Sequence, residues 1–329
     1  MDLKKLLERL SDGCWHSLSE LVWELGTDIG SLSDLLRELQ SYGLELTADA
    51  EGSVSLSSRL SLLADEEILA GLTPVLRSSL VHIELAPVVD STNTRAMEWL
   101  RVGNSGRALF LAEWQHSGRG RRGRSWVSPI AQNLIMSLAW PVDEAGRMLQ
   151  GISLVVALSL VEGLRSMKLH GTDLLRVKWP NDVWLGEAKL AGILLELYKS
   201  QSARDHVVIG IGLNVQLPSG ALADFDQAAI DLCSQGNPQI DRNQLVIAVL
   251  NSLELNLEKL RVEGFGCFRE QWLELDAFRN RQVKVVGHGQ PIVGVVSGIS
   301  DSGALILQTL EGEQVIGGGE IAPSVRPLS

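Results

Sequence analysis

His116-Ser117-Gly118-Arg119-Gly120-Arg121-Arg122-Gly123-Arg124-Ser125-Trp126 sets four arginines and three glycines within seven residues, in a chain of 329 residues whose formal net charge is -11. A surface tuned only for solubility mixes charge signs, so this local excess of cations calls for an anion. Glycine lets the backbone come close to a ligand, and the guanidinium fork matches phosphate or carboxylate oxygens in pairs. Residues 108–113 read as a strand entering the stretch and residues 133–140 as a strand leaving it. The loop hangs between them. Its arginines repel one another and its glycines resist ordering, so it is expected to be mobile when empty and to close over ligand.

Outward from the loop, short apolar runs alternate with longer helical ones. Residues 82–89, 176–179, 183–185, 190–198 and 207–215 read as further strands. Residues 147–168 make a buried helix, and residues 243–261 make a second one with Leu245, Val249, Leu253, Leu257 and Leu260 inward. The fold class is α+β with a mainly antiparallel central sheet. Upstream, Leu3, Leu6, Leu7 and Leu10 recur at helical spacing, as do Leu18, Leu21, Val22 and Leu25, then Leu32, Leu35, Leu36 and Leu39. With a hairpin after Gly43, this is the layout of a winged helix-turn-helix domain. A short helix at residues 65–72, ended by Thr73-Pro74, links it to the sheet. Beyond Phe278, short β segments make a small barrel. The expected domains are residues 1–64, 65–277 and 278–329.

The hydrophobic fraction of 45% is that of globular domains, and the apolar run at residues 148–161 is too short to cross a bilayer. Three scattered cysteines give neither a disulfide framework nor a zinc site, and the first residues lack a signal-peptide layout. A cytoplasmic location is expected. The winged segment carries five basic and eleven acidic residues up to Ala64. Its candidate reading helix, residues 31–41, would offer DNA Ser31, Ser33, Asp34 and Arg37, with a single cation among them. Binding to a polyanion draws on lysine and arginine at phosphates, so operator binding and a retained fold serving other ends both stay open.

Other short motifs stand in a fixed order: Asp90-Ser91-Thr92-Asn93, Glu113-Trp114-Gln115, Lys178-Trp179-Pro180-Asn181-Asp182, Lys189-Leu190-Ala191-Gly192, Gly210-Ile211-Gly212-Leu213-Asn214 and Gly318-Gly319-Glu320-Ile321. On local grounds Ser91 or Thr92 is an N-cap, and Gly210-x-Gly212 is weak as a nucleotide fingerprint because no third glycine follows. Taken together with the arginine-glycine loop, the ordered set resembles the biotin protein ligases, including their bifunctional ligase and repressor members. The resemblance runs from about Ile83 to the C-terminus and covers the winged segment in outline.

The resemblance implies a class II synthetase-like central domain and an SH3-like C-terminal barrel. It implies that biotin and ATP give biotinyl-5'-AMP, and that a lysine of the biotin carboxyl carrier protein of acetyl-CoA carboxylase takes the biotin. It places biotin on Ser91, Thr92, Asn93, Gln115, Arg119, Gly120, Arg121 and Lys189. It places ATP or the adenylate on Gly118, Arg122, Gly123, Arg124, Lys178, Asn181, Asp182, Gly192 and Asn214. Lys189 and Arg121 would be catalytic, with Lys189 bridging the biotin carboxylate and the α-phosphate. Mg²⁺ is expected with ATP, and Asn214 is its candidate contact. Biotin operator DNA and a second copy of the chain are further implied partners; no membrane is. One departure stands out: Ala229 falls where the family often carries a tryptophan that packs on adenine, which weakens nucleotide retention or changes how the site closes. Lipoate-protein ligase, a ligase without DNA binding and a biotin-sensing regulator are the competing readings.

Overall fold

The structure is a computed structural model and describes residues 3–142, 147–200, 204–217, 228–237, 239–287 and 290–321. Three helices open the chain: α1 (Leu3–Leu10), α2 (Leu18–Leu25) and α3 (Ile29–Ser41). Their buried leucines, among them Leu6, Leu7, Leu10, Leu21, Leu32 and Leu39, form one core with Val54 and Leu56. Gly26 ends α2 in the left-handed conformation at φ 62°, and the Asp28 carboxylate then caps α3 by accepting from the Gly30 and Ser31 amides. Strands β1 (His16–Ser17), β2 (Leu46–Ala48) and β3 (Ser53–Leu56) make a small antiparallel sheet in the order β1-β3-β2.

Two short helices follow, α4 (Asp65–Gly71) and α5 (Pro74–Ser79). The sequence treats Thr73-Pro74 as a helix stop, but it is also a start. The Thr73 hydroxyl accepts from the Leu76 amide at 3.1 Å, and proline fits a first helical turn, where its missing N–H has no partner to lose.

The central sheet has seven strands: β4 (Leu80–Val89), β5 (Arg107–Gln115), β6 (Leu134–Pro141), β7 (Leu175–Lys178), β8 (Asp182–Leu185), β9 (Ala188–Tyr198) and β10 (His206–Leu213). Their order is β4-β5-β6-β10-β9-β8-β7, and every pairing is antiparallel except β4 with β5. Alternation along β5 sends Ala108 and Phe110 to one face, against Ala96 and Leu100 of α6 (Thr92–Arg101). Leu109 and Leu111 face the other way, toward α7 (Ile152–Ser166) and α8 (Arg242–Glu263). Helix α7 begins five residues later than the apolar run suggests. Gly151 stands before it at φ 70°, where an added Cβ would collide with the Phe265 ring, and a single 3-10 turn precedes it.

Helix α9 (Arg269–Leu275) leads into β11 (Gln282–Val286), β12 (Ile292–Ile299), β13 (Leu305–Thr309), β14 (Gly312–Ile316) and β15 (Glu320–Ile321), an antiparallel sheet in the order β14-β13-β12-β11-β15. Val283, Val285, Leu305 and Leu307 belong to the same buried cluster as the central sheet, so the C-terminal sheet is packed onto the core rather than tethered to it.

Asp276 lies in that junction. Its Oδ1 accepts from the Phe278 amide at 2.9 Å, whereas its buried Oδ2 has no partner. Burial pushes its carboxyl up to about 6, only partly offset by the Phe278 amide. A raised native pKa means that the folded state holds its proton more tightly than the unfolded state. Stability is therefore highest below the unfolded value near 4 and falls as pH rises through about 6. Asp276→Asn keeps the acceptor and removes the charge. It is expected to stabilise the protein by roughly 2 kcal/mol at pH 8 and by almost nothing at pH 4. Denaturant unfolding at the two pH values measures this, and an equal effect at both would show that the charge is not the cause.

Candidate active site

The arginine-glycine loop forms a hairpin that covers the ends of β5, β6, β9 and β10. The Trp126 amide donates to the Gly118 carbonyl at 2.8 Å, and the Gly120 amide donates to the Arg124 carbonyl at 2.7 Å. The tip is a single turn at Arg121–Gly123 with Arg122 at φ 57° and Gly123 at φ 74°. Beneath it lies a cavity of about 410 Å³. Ser91, Thr92 and Asn93 line it, and Arg119, Arg121, Arg124 and Lys189 supply its cations; Gln115, Gly120, Gly123, Asn181, Gly192 and Asn214 also contribute wall.

The loop's arginines are not left to repel one another. Arg119 pairs with Glu196 at 3.2 Å. Arg121 donates to Asn181 Oδ1 at 3.0 Å and to the Gly319 carbonyl at 3.1 Å. Arg122 donates to the Val286 carbonyl, and Arg124 pairs with Glu320 at 2.7 Å. Protein acceptors thus meet all four guanidiniums of the loop. Those acceptors come from β9, the β7–β8 turn and the C-terminal sheet, far away in sequence, so no local pattern announces them. Burial lowers the hold of Arg121 on its proton, and Glu320 opposes that effect.

Lys189 stands in the wall with Nζ 2.9 Å from Asp182 Oδ1 and 5.7 Å from the centre of the Trp126 ring. Its strand is extended by a short parallel contact with Ala229: the Lys189 amide donates to the Ala228 carbonyl at 2.9 Å, and the Ile230 amide donates to the Lys189 carbonyl at 3.0 Å. Ala229 thereby reaches the cavity wall with a methyl group in place of a ring. Asp226 and Gln227, which precede it, lie outside the described residues.

Four sequence-predicted nucleotide contacts are absent from that wall. Gly118 serves through its missing side chain, since a Cβ there would crowd Gln115 Nε2. Arg122 turns to the C-terminal sheet. Asp182 stands behind Lys189 as its counter-ion. Lys178 is only 2% exposed and lies over the Trp184 ring at 4.9 Å, with no hydrogen-bond partner on Nζ. Burial depresses its pKa, and Asp182 and Glu320 oppose that. It sets the field under the site rather than touching what fills it.

Ser91 occupies the N-cap of α6 but makes no side-chain cap bond, so its hydroxyl stays available to the cavity. Gly210-x-Gly212 is not a phosphate loop. Gly210 makes room for Asn93, and Gly212 makes room for the Trp126 ring, because a Cβ at either would collide with it. Trp126, Glu196 and Glu320 are the residues that the sequence reading left without a role. A tryptophan closing a glycine-rich loop opposite strand glycines was the signal for the first.

No cluster of three or more His, Cys, Asp or Glu side chains able to hold a metal occurs among the described residues. Asn214 Oδ1 is nonetheless buried in the cavity wall without a partner. An orphaned carbonyl oxygen there costs about 1–3 kcal/mol. Together with substrate phosphate oxygens it fits a cation such as Mg²⁺, which takes few protein ligands and keeps water.

On the other side of β5, Glu113 is buried against Arg242 at 2.6 Å, and its second oxygen accepts from the Leu63 amide at 2.6 Å. Arg242 also donates to the carbonyls of Ser61 and Asn133. Trp114 stacks on Tyr42, which follows α3, with ring centres 4.0 Å apart. The three residues Glu113, Trp114 and Gln115 thus touch linker, helical unit and cavity in turn. The DNA-facing candidates on α3 are engaged locally. Ser31 donates to Asp28, Ser33 donates to the Ile29 carbonyl, and Arg37 pairs with Asp34 at 3.1 Å.

No helix among the described residues is long and apolar enough to cross a membrane. Residues 85–214 match the biotin/lipoate A/B protein ligase family, and residues 279–322 match the biotin protein ligase C terminal domain. The chain is 34% identical to the bifunctional ligase/repressor BirA of Escherichia coli, over 92% of this chain and 91% of that one. It is 33% identical to the biotin--[acetyl-CoA-carboxylase] ligase of Paracoccus denitrificans, over 70% of this chain and 96% of the other. Among solved structures it resembles the biotin protein ligase of Aquifex aeolicus in complex with biotin and ATP, at 29% identity, a TM-score of 0.61, and coverage of 74% and 97%.

Proposed function

The chain belongs to the biotin protein ligase family, and we propose that its cavity holds the biotin ring at Ser91, Thr92, Asn93 and Gln115 and joins the vitamin's carboxylate to AMP beside Lys189. The observation that carries this is one cavity lined both by neutral hydrogen-bonding groups, Ser91, Thr92, Asn93 and Gln115, and by the cations Arg119, Arg121, Arg124 and Lys189. A ureido ring needs short donors and acceptors; a carboxylate and a phosphate need positive charge.

In the first step a biotin carboxylate oxygen attacks the α-phosphorus of ATP, the bond to the bridging oxygen breaks, and pyrophosphate leaves. In the second, the amine of a carrier lysine attacks the acyl carbon, AMP departs with the electrons of the broken bond, and the amine's proton passes to solvent. No covalent enzyme intermediate is required. Lys189 lessens the repulsion between two approaching anions, while Arg119, Arg121 and Arg124 hold phosphate oxygens once these displace Glu196, Asn181 and Glu320. Asn214 would hold Mg²⁺, which supplies neutralising charge to the departing phosphates. The biotin carboxyl carrier protein of acetyl-CoA carboxylase is the proposed acceptor. Purified chain given labelled biotin, ATP, Mg²⁺ and an apo carrier domain is expected to label one carrier lysine; carrier left unlabelled with all reagents present defeats the reading.

We read residues 1–64 as a winged helix-turn-helix, 65–277 as a class II synthetase-like catalytic domain and 278–329 as an SH3-like barrel, in a cytoplasmic protein. A second role as a biotin-operon repressor is favoured by the Tyr42–Trp114 stack, which places the end of α3 beside Gln115. The acidic face of α3 limits the phosphate term. Operator DNA is therefore expected to shift only at low salt and only with biotin and ATP both present. A gel shift with each reagent omitted in turn measures this, and no shift under any condition leaves a ligase without DNA binding. A homodimer would pair across β4, the open edge of the sheet, since β7 is flanked by Asp276.

A further inference from the structure

We propose that Glu196 is a positioning residue that sets which hydrogen-bonding groups Thr92 and Asn93 offer to the ligand of the cavity. The inference rests on reading these residues as part of the biotin-ring subsite. Three hydrogen bonds carry it. Asn93 Nδ2 donates to Glu196 Oε2 at 2.7 Å, Ser137 Oγ lies 2.6 Å from Asn93 Oδ1, and the same Oγ lies 2.7 Å from Thr92 Oγ1.

A carboxylate only accepts, so Glu196 selects the one amide orientation of Asn93 that turns Nδ2 toward it and Oδ1 inward. A hydroxyl has one proton. Oδ1 can only accept, so the Ser137 proton goes to Asn93 and Ser137 must accept from Thr92. The protons therefore run in one direction, from Thr92 through Ser137 and Asn93 to Glu196, and the chain ends on a negative charge. Thr92 is left with oxygen lone pairs and no spare proton, while Asn93 keeps one lone pair on Oδ1 and one N–H on Nδ2. They suit a neutral ring carrying N–H donors.

Burial makes the arrangement firm. Ser91, Thr92, Asn93 and Ser137 are all buried, and Gly210 alone leaves room for the Asn93 carbonyl. Glu196 is itself partly exposed and also holds Arg119 of the loop at 3.2 Å, so one carboxylate joins the ring subsite to the flap. The amide orientation is decided on β9, more than a hundred residues from Asn93 in sequence.

A residue that only orients a non-reacting ring changes binding and not chemistry. Glu196→Ala is expected to raise the biotin KM by about tenfold, the size of one lost hydrogen bond of good geometry, and, because it also releases Arg119, to lower rather than raise the KM for ATP. Glu196→Gln keeps an acceptor for Asn93 and is expected to fall between Glu196→Ala and wild type. Ser137→Ala cuts the same chain, so Ser137→Ala with Glu196→Ala is expected to match the larger single effect rather than their product. Calorimetric titration with biotin alone checks the same ranking. If Glu196→Ala binds biotin within twofold of wild type, or if the two substitutions multiply, the proposal is wrong and Glu196 serves only the loop. If wild type itself fails to bind biotin, it is the ligase reading that falls.

Discussion

Lys189→Ala is expected to slow formation of biotinyl-5'-AMP by about a thousandfold while biotin binds within threefold of wild type. Two unit charges about 4 Å apart interact by about 4 kcal/mol at an effective dielectric constant of 20. That is about three powers of ten in rate. The carboxylate of biotin and the α-phosphate must come at least that close, and Lys189 is the cavity cation held from the sheet rather than from the loop. The substitution also strips Asp182 of its partner at 2.9 Å, leaving an extra negative charge in the site. Lys189→Ala with Asp182→Asn separates the two causes: if the lost cation dominates, the double variant stays as slow as the single. Pyrophosphate release in a single turnover reads the rate, and release equal to wild type would remove Lys189 from the chemistry.

Arg242→Ala is expected to cost about 3–5 kcal/mol of stability, the usual effect of leaving one member of a buried pair alone. Glu113 and Arg242 are 7% and 2% exposed in their side chains. Without the guanidinium, Glu113 keeps only the Leu63 amide, and the carbonyls of Ser61 and Asn133 lose their donor. The same junction holds residues 61–63 against β5, so the helical unit is expected to loosen from the sheet as well. Replacing both partners, with Glu113→Gln and Arg242→Met, should recover a large part of the loss because no unpaired charge remains. Denaturant unfolding of the single and double variants measures this. A double variant no better than Arg242→Ala would mean that contacts other than charge make the junction.

The N-terminal leucine periodicities gave α1, α2 and α3 because an amphipathic helix repeats its burial every turn. The strand alternation gave the hairpin and most of the central sheet for the corresponding reason. The start of α7 differs from the expected one because Gly151 takes φ 70° before it and packs against Phe265, whose closeness no neighbour of Gly151 encodes. Likewise the two glycines of β10, weak as a nucleotide fingerprint in sequence, are packing glycines in space, spaced to admit Asn93 and Trp126.

By itself the sequence determined the kinds of chemistry present: a cationic glycine-rich loop, a strand lysine, short polar groups and their order along the chain. Those are properties of residue type and local spacing, which a linear reading preserves. Only the tertiary structure decided which carboxylate answers which arginine, that Lys178 lies beneath the site rather than in it, and that Glu196 fixes the orientation of Asn93. Charge pairing and hydrogen-bond direction depend on distances of a few ångströms between residues far apart in the chain, and those distances exist only once the sheet has formed.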